Sequence, residues 1–282
     1  MADISLTAGI RSNLLSLQST STLLSRTQER LGTGKKVNSA IDNPTNFFTA
    51  QALTNRSDDL AARLDGISKG INTVKAADKG ITGMTSLLKQ AKGIAKDARA
   101  LSTDTSDTQA QKDRSALAKQ FNDLLGQIDD LAKDSGYDGV NLLQGDDLTV
   151  EFAEKAGSSN IDLKGFDADT GGSFITVGSQ TVAEWKADNS EIDIAIKDLE
   201  ASEANLRAES KKLSSNLAIL TTRQDFTKNM VNTLTTGAAE LTNADLNEEA
   251  ANLLALNTQQ SLGVNSLSLA SQASQGVLRL LQ

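Results

Sequence analysis

Few positions in this sequence hold residue types that could do chemistry. "DADTGG" sets Asp167 and Asp169 two apart, the spacing of the first ligands of a calcium loop. Gly171 then occupies the next ligand position and Gly178 the place of the bidentate glutamate, so the stretch reads as a turn. Phe174 and Trp185 could stack on a sugar ring, but isolated aromatics more often form a small core. The chain has no histidine and no cysteine. That removes the usual near-neutral general base, the commonest metal ligand, a thiol nucleophile and any disulfide. No catalytic group, metal site or cofactor is therefore expected. The net charge of −8 with scattered Lys and Arg shows no nucleic-acid footprint. No run of 18 apolar residues exists to span a membrane, and "MADISLTAGIRSNLL" lacks the layout of a Sec signal peptide.

What the sequence does carry is helical periodicity. Aromatics make up 3% of the chain, so its core must come from Leu, Ile, Val and Ala, which suits helices packed side by side. Ile10, Leu14, Leu17, Leu24 and Leu31 alternate steps of four and three, with Ser21 and Gln28 filling the gaps. This heptad stripe predicts a helix of roughly 25 residues that stops at Gly32 and Gly34. Pro44, the single proline, prevents Asn43 from continuing a helix, so residues 32–46 read as a connector.

A second pattern runs from Leu60 through Ile67, Ile71, Val74, Ile81, Met84 and Leu88 to Leu101. Helical from near Thr45, it would be on the order of 85 Å long, and its five glycines each cost about 1 kcal/mol relative to Ala. Ser106 with Gln109 makes a capping box for a third helix carrying Leu117, Phe121, Leu124, Ile128 and Leu131. "DSGYDGVNLLQGDD" reads as a hairpin, and "DLTVEF", "NIDLKGF" and "GSFITVG" as short strands. From Ser190, capped with Asp193, a heptad register resumes through Ile192, Ile196, Leu199, Leu206, Leu213, Leu217 and Leu220.

The expected fold is mainly α: a long antiparallel helical bundle or coiled coil with paired N- and C-terminal helices and a small β-rich insertion. Residues 1–31 and 246–282 are the terminal helices and 32–46 the connector. Residues 47–145 and 190–245 form the bundle, with a hairpin near 136–150, and 146–189 form the surface-exposed insertion.

The two ends are the informative part. Residues 250–282 carry one charge, Arg279, and residues 4–25 carry one, Arg11. The C-terminal segment has two apolar stripes, Leu253, Val264, Leu267, Leu278, Leu281 and Leu262, Leu269, Ala273, Val277, Leu280. A surface helix normally has one stripe and a charged back, so these ends need more than one neighbour. Self-association is the expectation, and head-to-tail contacts that do not close give a filament. The expected assembly residues are Leu6, Ile10, Leu14, Leu17, Leu24, Leu31, Leu253, Val264, Leu267, Leu269, Val277, Leu278, Leu280 and Leu281. The connector positions are Gly32, Gly34, Asn38, Asp42 and Pro44.

These ends resemble bacterial flagellin. "NLLSLQSTSTLLSRTQERLGTGKKVNSAIDNPTNFFTAQAL" is similar to the family's Leu/Ser stripe leading into an "RLSSGLRINSAKDDAAG"-type loop. Glu29-Arg30-Leu31, Gly34, Val37-Asn38-Ser39-Ala40 and Asp42 keep that pattern. "QQSLGVNSLSLASQASQGVLRLL" resembles the family's C-terminus at Val264, Leu269, Ala270, Gln272, Ala273 and Val277 through Leu281. The likeness covers roughly residues 1–145 and 190–282. Asn-Pro-Thr at 43–45 and Gln275 depart from it. So do Gln90 and Gly93, in the segment that Toll-like receptors read in many flagellins.

The resemblance implies a structural subunit polymerising into the flagellar filament used for motility. Terminal helices would form the inner tube, residues 32–46 the spoke, the long helices the outer tube, and the insertion would face solvent. Its implied partners are other copies of itself, an export chaperone, and the hook-associated and cap proteins. The implied location is extracellular, reached by flagellar type III export. Alternatives are the hook–filament junction protein and a flagellin-like surface binding protein. The metalloprotease insertion of some relatives requires H-E-x-x-H, which a chain without histidine lacks.

Overall fold

A computed structural model describes residues 8–153, 159–181, 185, 186 and 188–280. Its elements are α1 (Ala8–Thr33), α2 (Pro44–Ala100), α3 (Thr108–Asp134), β1 (Leu148–Glu151), β2 (Asn160–Leu163), α4 (Ser190–Thr242) and α5 (Leu246–Leu280). The fold is mainly α, with one small antiparallel sheet. Two compact units divide the chain: a terminal unit of Met1–Arg56 and Thr233–Gln282, and a central unit of Ser57–Asn232.

The central unit holds the dry core. Ile67, Val74, Met84 and Leu88 of α2, Phe121, Leu125 and Ile128 of α3, and Ile192, Leu199 and Leu206 of α4 are fully or almost fully buried. α2 is one continuous helix despite its glycines, and packing explains two of them. A Cβ on Gly70 would stand 2.6 Å from Val150 Cγ2, and one on Gly80 2.6 Å from Leu143 Cδ1. The missing side chains let the segment after α3 lie directly on the helix, which offsets their poor helix propensity.

Two caps differ from the expected ones. Asp107, not Ser106, caps α3, accepting from the N–H groups of Gln109 and Ala110, while the Gln109 side chain donates forward to Asp113. Asp188 accepts from the Ser190 backbone N–H, and Asp193 instead pairs with Arg99 at 2.6 Å. Each time an aspartate nearby outcompetes a serine, because a carboxylate also answers the positive end of the helix.

The stretch after α3 begins with a Tyr137–Val140 hairpin whose central residues, Asp138 and Gly139, have φ of 51° and 80°. Both angles belong to a type I′ turn, as Asp-Gly demands. β1 and β2 pair in the register Leu148–Leu163 to Glu151–Asn160. "GSFITVG", expected as a strand, makes only an isolated Thr170–Ile175 bridge. Side chains of the helices satisfy much of the backbone in and around it, with Ser202 accepting from the Thr176 N–H. Asp129 accepts from Thr170 N–H and Oγ1, Asn122 exchanges two bonds with the Gln180 backbone, and Asn205 donates to the Phe174 carbonyl.

This return segment therefore turns apolar side chains onto the bundle rather than into solvent. Phe166, Ile175, Val177 and Trp185 are all buried in the core, Trp185 with its ring 5.1 Å from that of Phe121. At its far end Arg114 of α3 is fully buried. Its guanidinium donates to the carbonyls of Trp185, Ala98, Leu101 and Asp188 and to Asn189 Oδ1. A cation thus caps the carbonyl end of α2 and ties it to the segment entering α4.

Candidate assembly interface

In the terminal unit α1 and α5 lie side by side, and the seam between them repeats every seven residues on both helices. From α1 it takes Ile10, Asn13, Leu17, Thr20, Leu24, Thr27 and Leu31; from α5 it takes Glu249, Leu253, Leu256, Gln260, Gly263, Leu267 and Ala270. The register is fixed at two points. Arg30 Nη1 donates to Glu249 Oε1 at 2.8 Å, and a Cβ on Gly263 would stand 2.7 Å from Leu17 Cδ2. Gly263 admits the leucine knob because it has no side chain of its own.

This is not the seam that the apolar spacing suggests. The expected stripe placed Leu14, Ser21 and Gln28 beside Ile10, Leu17, Leu24 and Leu31, whereas the pair uses Asn13, Thr20 and Thr27. Both frames share four positions and differ at three, and the structure takes the more polar one. Thr20 and Thr27 are 3% and 6% exposed, while Leu14 and Leu15 are 41% and 65% exposed. Leu23 of α1 and Leu254, Leu262, Val264 and Leu269 of α5 are exposed too. The Glu249 carboxylate sits in the seam, with Oε2 buried and without a hydrogen-bond partner among the described residues.

Of the fourteen assembly residues expected from sequence, Ile10, Leu17, Leu24, Leu31, Leu253 and Leu267 thus lie half-buried in the pair, and Leu14, Val264 and Leu269 face outward. Val277, Leu278 and Leu280 belong to α5, and Leu6 and Leu281 lie outside the described residues. The sequence reading missed Thr20, Thr27, Gln260 and Gly263. Their signal was present as the same four-three spacing one residue out of step, but it lacked hydrophobicity.

The connector is clamped rather than loose. Gly34, at φ 70°, ends α1 by donating to the Arg30 carbonyl, a left-handed conformation that favours glycine. Lys36 and Val37 N–H groups both reach the Thr242 carbonyl, Ala244 N–H reaches Gly34, and Lys36 Nζ reaches the Glu240 carbonyl. Val37 is buried beneath. Asp42 Oδ2 then accepts from the N–H groups of Ser39 and Asn38 and from Ser39 Oγ. The backbone N–H bonds of Ser39 and Asn38, with a smaller contribution from the Ser39 hydroxyl, hold this carboxyl below the ordinary aspartate range. Asn43 caps α2 through its side chain, bonding the Asn46 N–H, and Pro44 is the first residue of that helix, where its missing N–H goes unneeded. Gly32 falls within the last turn of α1.

Among the described residues no cluster of three or more His, Cys, Asp or Glu could hold a metal ion, and no helix is long and apolar enough to cross a membrane. What the terminal unit offers is apolar surface on a rigid pair of helices.

Comparison with known proteins gives that surface a context. The bacterial flagellin N-terminal helical region matches residues 4–147, and the flagellin C-terminal helical region matches residues 190–281. Flagellin FljM of Caulobacter vibrioides is 30% identical over 269 residues, covering 95% of this chain and 94% of its own. The flagellin of Brucella melitensis is 25% identical over 287 residues, covering 99% of both. A solved structure assigned to a flagellar hook-associated protein of Vibrio parahaemolyticus aligns with a TM-score of 0.58 at 13% identity, over 72% of this chain and 100% of its own. That likeness is one of fold alone; the relatives by sequence are flagellins, so the junction-protein alternative is not favoured. This chain belongs to the bacterial flagellins, structural proteins that build the flagellar filament.

Proposed function

We propose that the α1–α5 pair drives polymerisation by presenting its outward leucines to other copies. In this reading residues 1–31 and 246–282 form the inner tube of the filament. Residues 32–46 are the spoke, 47–145 and 190–245 the outer tube, and 146–189 the surface insertion. Leu6, Val277, Leu278, Leu280 and Leu281 are further assembly residues in this reading. The subunit leaves the cell through the flagellar type III apparatus, meeting an export chaperone before secretion and hook-associated and cap proteins at the filament ends.

One observation supports this above the rest: the pair buries threonines and leaves leucines in water. A helix pair optimised for itself alone would do the reverse, since each fully buried leucine is worth about 1.5–3 kcal/mol. The test is Leu14→Asp and Leu269→Asp, each seeded with filament fragments and imaged. Neither should grow filaments, while circular dichroism and thermal unfolding of the monomer stay as in the unsubstituted chain. Normal filaments, or unfolding of the whole molecule, would overturn the reading.

A further inference from the structure

The chain contains the dipeptide Asp-Gly twice, and the fold treats the two copies differently. Asp65–Gly66 is exposed on α2 but helical, so the Gly66 N–H is held by the carbonyl four residues back. Asp138–Gly139 forms the tip of the Tyr137–Val140 hairpin. Asp138 is the one non-glycine residue with a positive φ among the described residues, and its side chain is 55% exposed. The two backbone bonds of the turn run between Tyr137 and Val140, and the Gly139 N–H donates to no group among the described residues. Around Gly139 a Cβ would meet nothing within 4 Å, so no neighbouring group crowds this amide.

An open amide beside an exposed carboxyl group sets up a reaction between the two. The Gly139 nitrogen attacks Cγ of the neutral Asp138 carboxyl. The new C–N bond closes a five-membered succinimide, and the amide hydrogen leaves with the carboxyl OH as water. A water molecule then opens the ring at either carbonyl. Opening at Cγ restores aspartate. Opening at the old main-chain carbonyl leaves isoaspartate, with the chain now running through Cβ and Cγ. Water is the only co-reactant, nothing is oxidised or reduced, and the net composition is unchanged. Glycine matters because it has no side chain to obstruct ring closure.

One contact opposes the reaction. Lys69 Nζ of α2 donates to Asp138 Oδ2 at 2.8 Å. This hydrogen bond to Asp138 holds the Lys69 ammonium above the ordinary lysine range, so the partner stays charged at any pH near neutral. Ring closure consumes the carboxylate that Lys69 holds, and the pair has to be given up. More than half of each side chain is exposed, so the restraint amounts to about twofold to fivefold in rate.

We propose that Asp138–Gly139 is a site of spontaneous isomerisation to isoaspartate and that Lys69 slows it. The inference is independent of the filament reading. Its product adds one methylene to the main chain of a two-residue turn, which the type I′ geometry does not accommodate. The Tyr137–Val140 bonds open, while Leu142 and Leu143, buried in the core, keep the following segment in place.

To test this, the full-length chain is incubated in heavy-oxygen water at mildly acidic pH and sampled over weeks. A protein isoaspartyl methyltransferase with a labelled methyl donor counts isoaspartate, and peptide mapping locates it. Heavy-oxygen isoaspartate should accumulate at residue 138 at least about tenfold faster than at residue 65, where local opening of α2 must come first. Lys69→Met should raise the rate at residue 138 about twofold to fivefold with thermal unfolding unchanged, and Lys69→Arg should keep the slow rate. Equal rates at residues 65 and 138, or no isoaspartate at 138, would overturn the site. A Lys69→Met rate equal to that of the unsubstituted chain would overturn the role of Lys69.

Discussion

The two units of this subunit differ in how apolar their buried surfaces are. In the central unit the core is large and mainly apolar, and Arg114, the one buried cation among the described residues, has a partner for every arm of its guanidinium. In the terminal unit the seam admits Asn13, Thr20, Thr27, Gln260 and Glu249, while leucines on both helices face water. The first is a finished core. The second is half of one in the proposed reading, in which other copies of the chain supply the other half. A protein that must be stable alone and yet polymerise gains from keeping these tasks in separate units.

The largest effect that would sharpen the contrast is at Arg114. Replacing it with Met leaves four carbonyls and an amide oxygen without their donor, at about 1–3 kcal/mol for each group that finds no substitute. We expect the central unit to lose about 3 kcal/mol or more in urea unfolding, and trypsin to cut faster at Lys186. Hydrogen exchange in α1 should be unchanged. An equal loss of protection in α1 would show that the two units are not separable.

Next is Gly263→Leu, which forces a side chain where Leu17 Cδ2 already packs. Overpacking of this kind costs about 1–3 kcal/mol. It should speed hydrogen exchange along α1 and α5 while central-unit unfolding stays put. If α1 protection is undisturbed, Gly263 does not set the register.

The smallest effect concerns the connector turn. Asp42 has a folded-state pKa below its unfolded one, because its carboxylate accepts backbone N–H bonds. The ordering it gives is therefore complete above the ordinary aspartate value, about 4, and is lost as pH falls through the depressed folded value. Titration followed by NMR should show the Asn38 and Ser39 amide shifts moving with Asp42, below the midpoint of an aspartate in an unfolded peptide. A midpoint at or above that value would mean that the turn is not held by this carboxylate. It would also leave the connector less rigid than the comparison between units assumes.

Much of this was readable in advance. A break between the first two helices, the long helix through five glycines and a hairpin after the third helix follow from local chemistry that few neighbours can override, though the break runs only from Gly34 to Asn43 rather than over 32–46. Where reading failed, the reason was a choice between near-equal options. Asp107 and Asp188 took capping roles that Ser106 and Ser190 could have filled. "GSFITVG" alternates like a strand, yet Asn122, Asp129, Ser202 and Asn205, far away in sequence, satisfy the backbone around it. Trp185, a conceivable sugar platform, is instead buried against Phe121, the two rings tilted by 53°. No local pattern announces such long-range partners.

Composition and periodicity alone determined that this chain is helical, lacks the side chains for thiol, histidine or disulfide chemistry, and carries two apolar terminal segments with a single charge each. Those properties follow from which residues are present and how they are spaced. Only the tertiary structure decided which face of each terminal helix turns inward. Two heptad frames share Ile10, Leu17, Leu24 and Leu31, so spacing cannot separate them. The choice shows in the burial of Thr20 and Thr27 in place of Ser21 and Gln28, on the side where Arg30 reaches Glu249, a residue more than two hundred positions away.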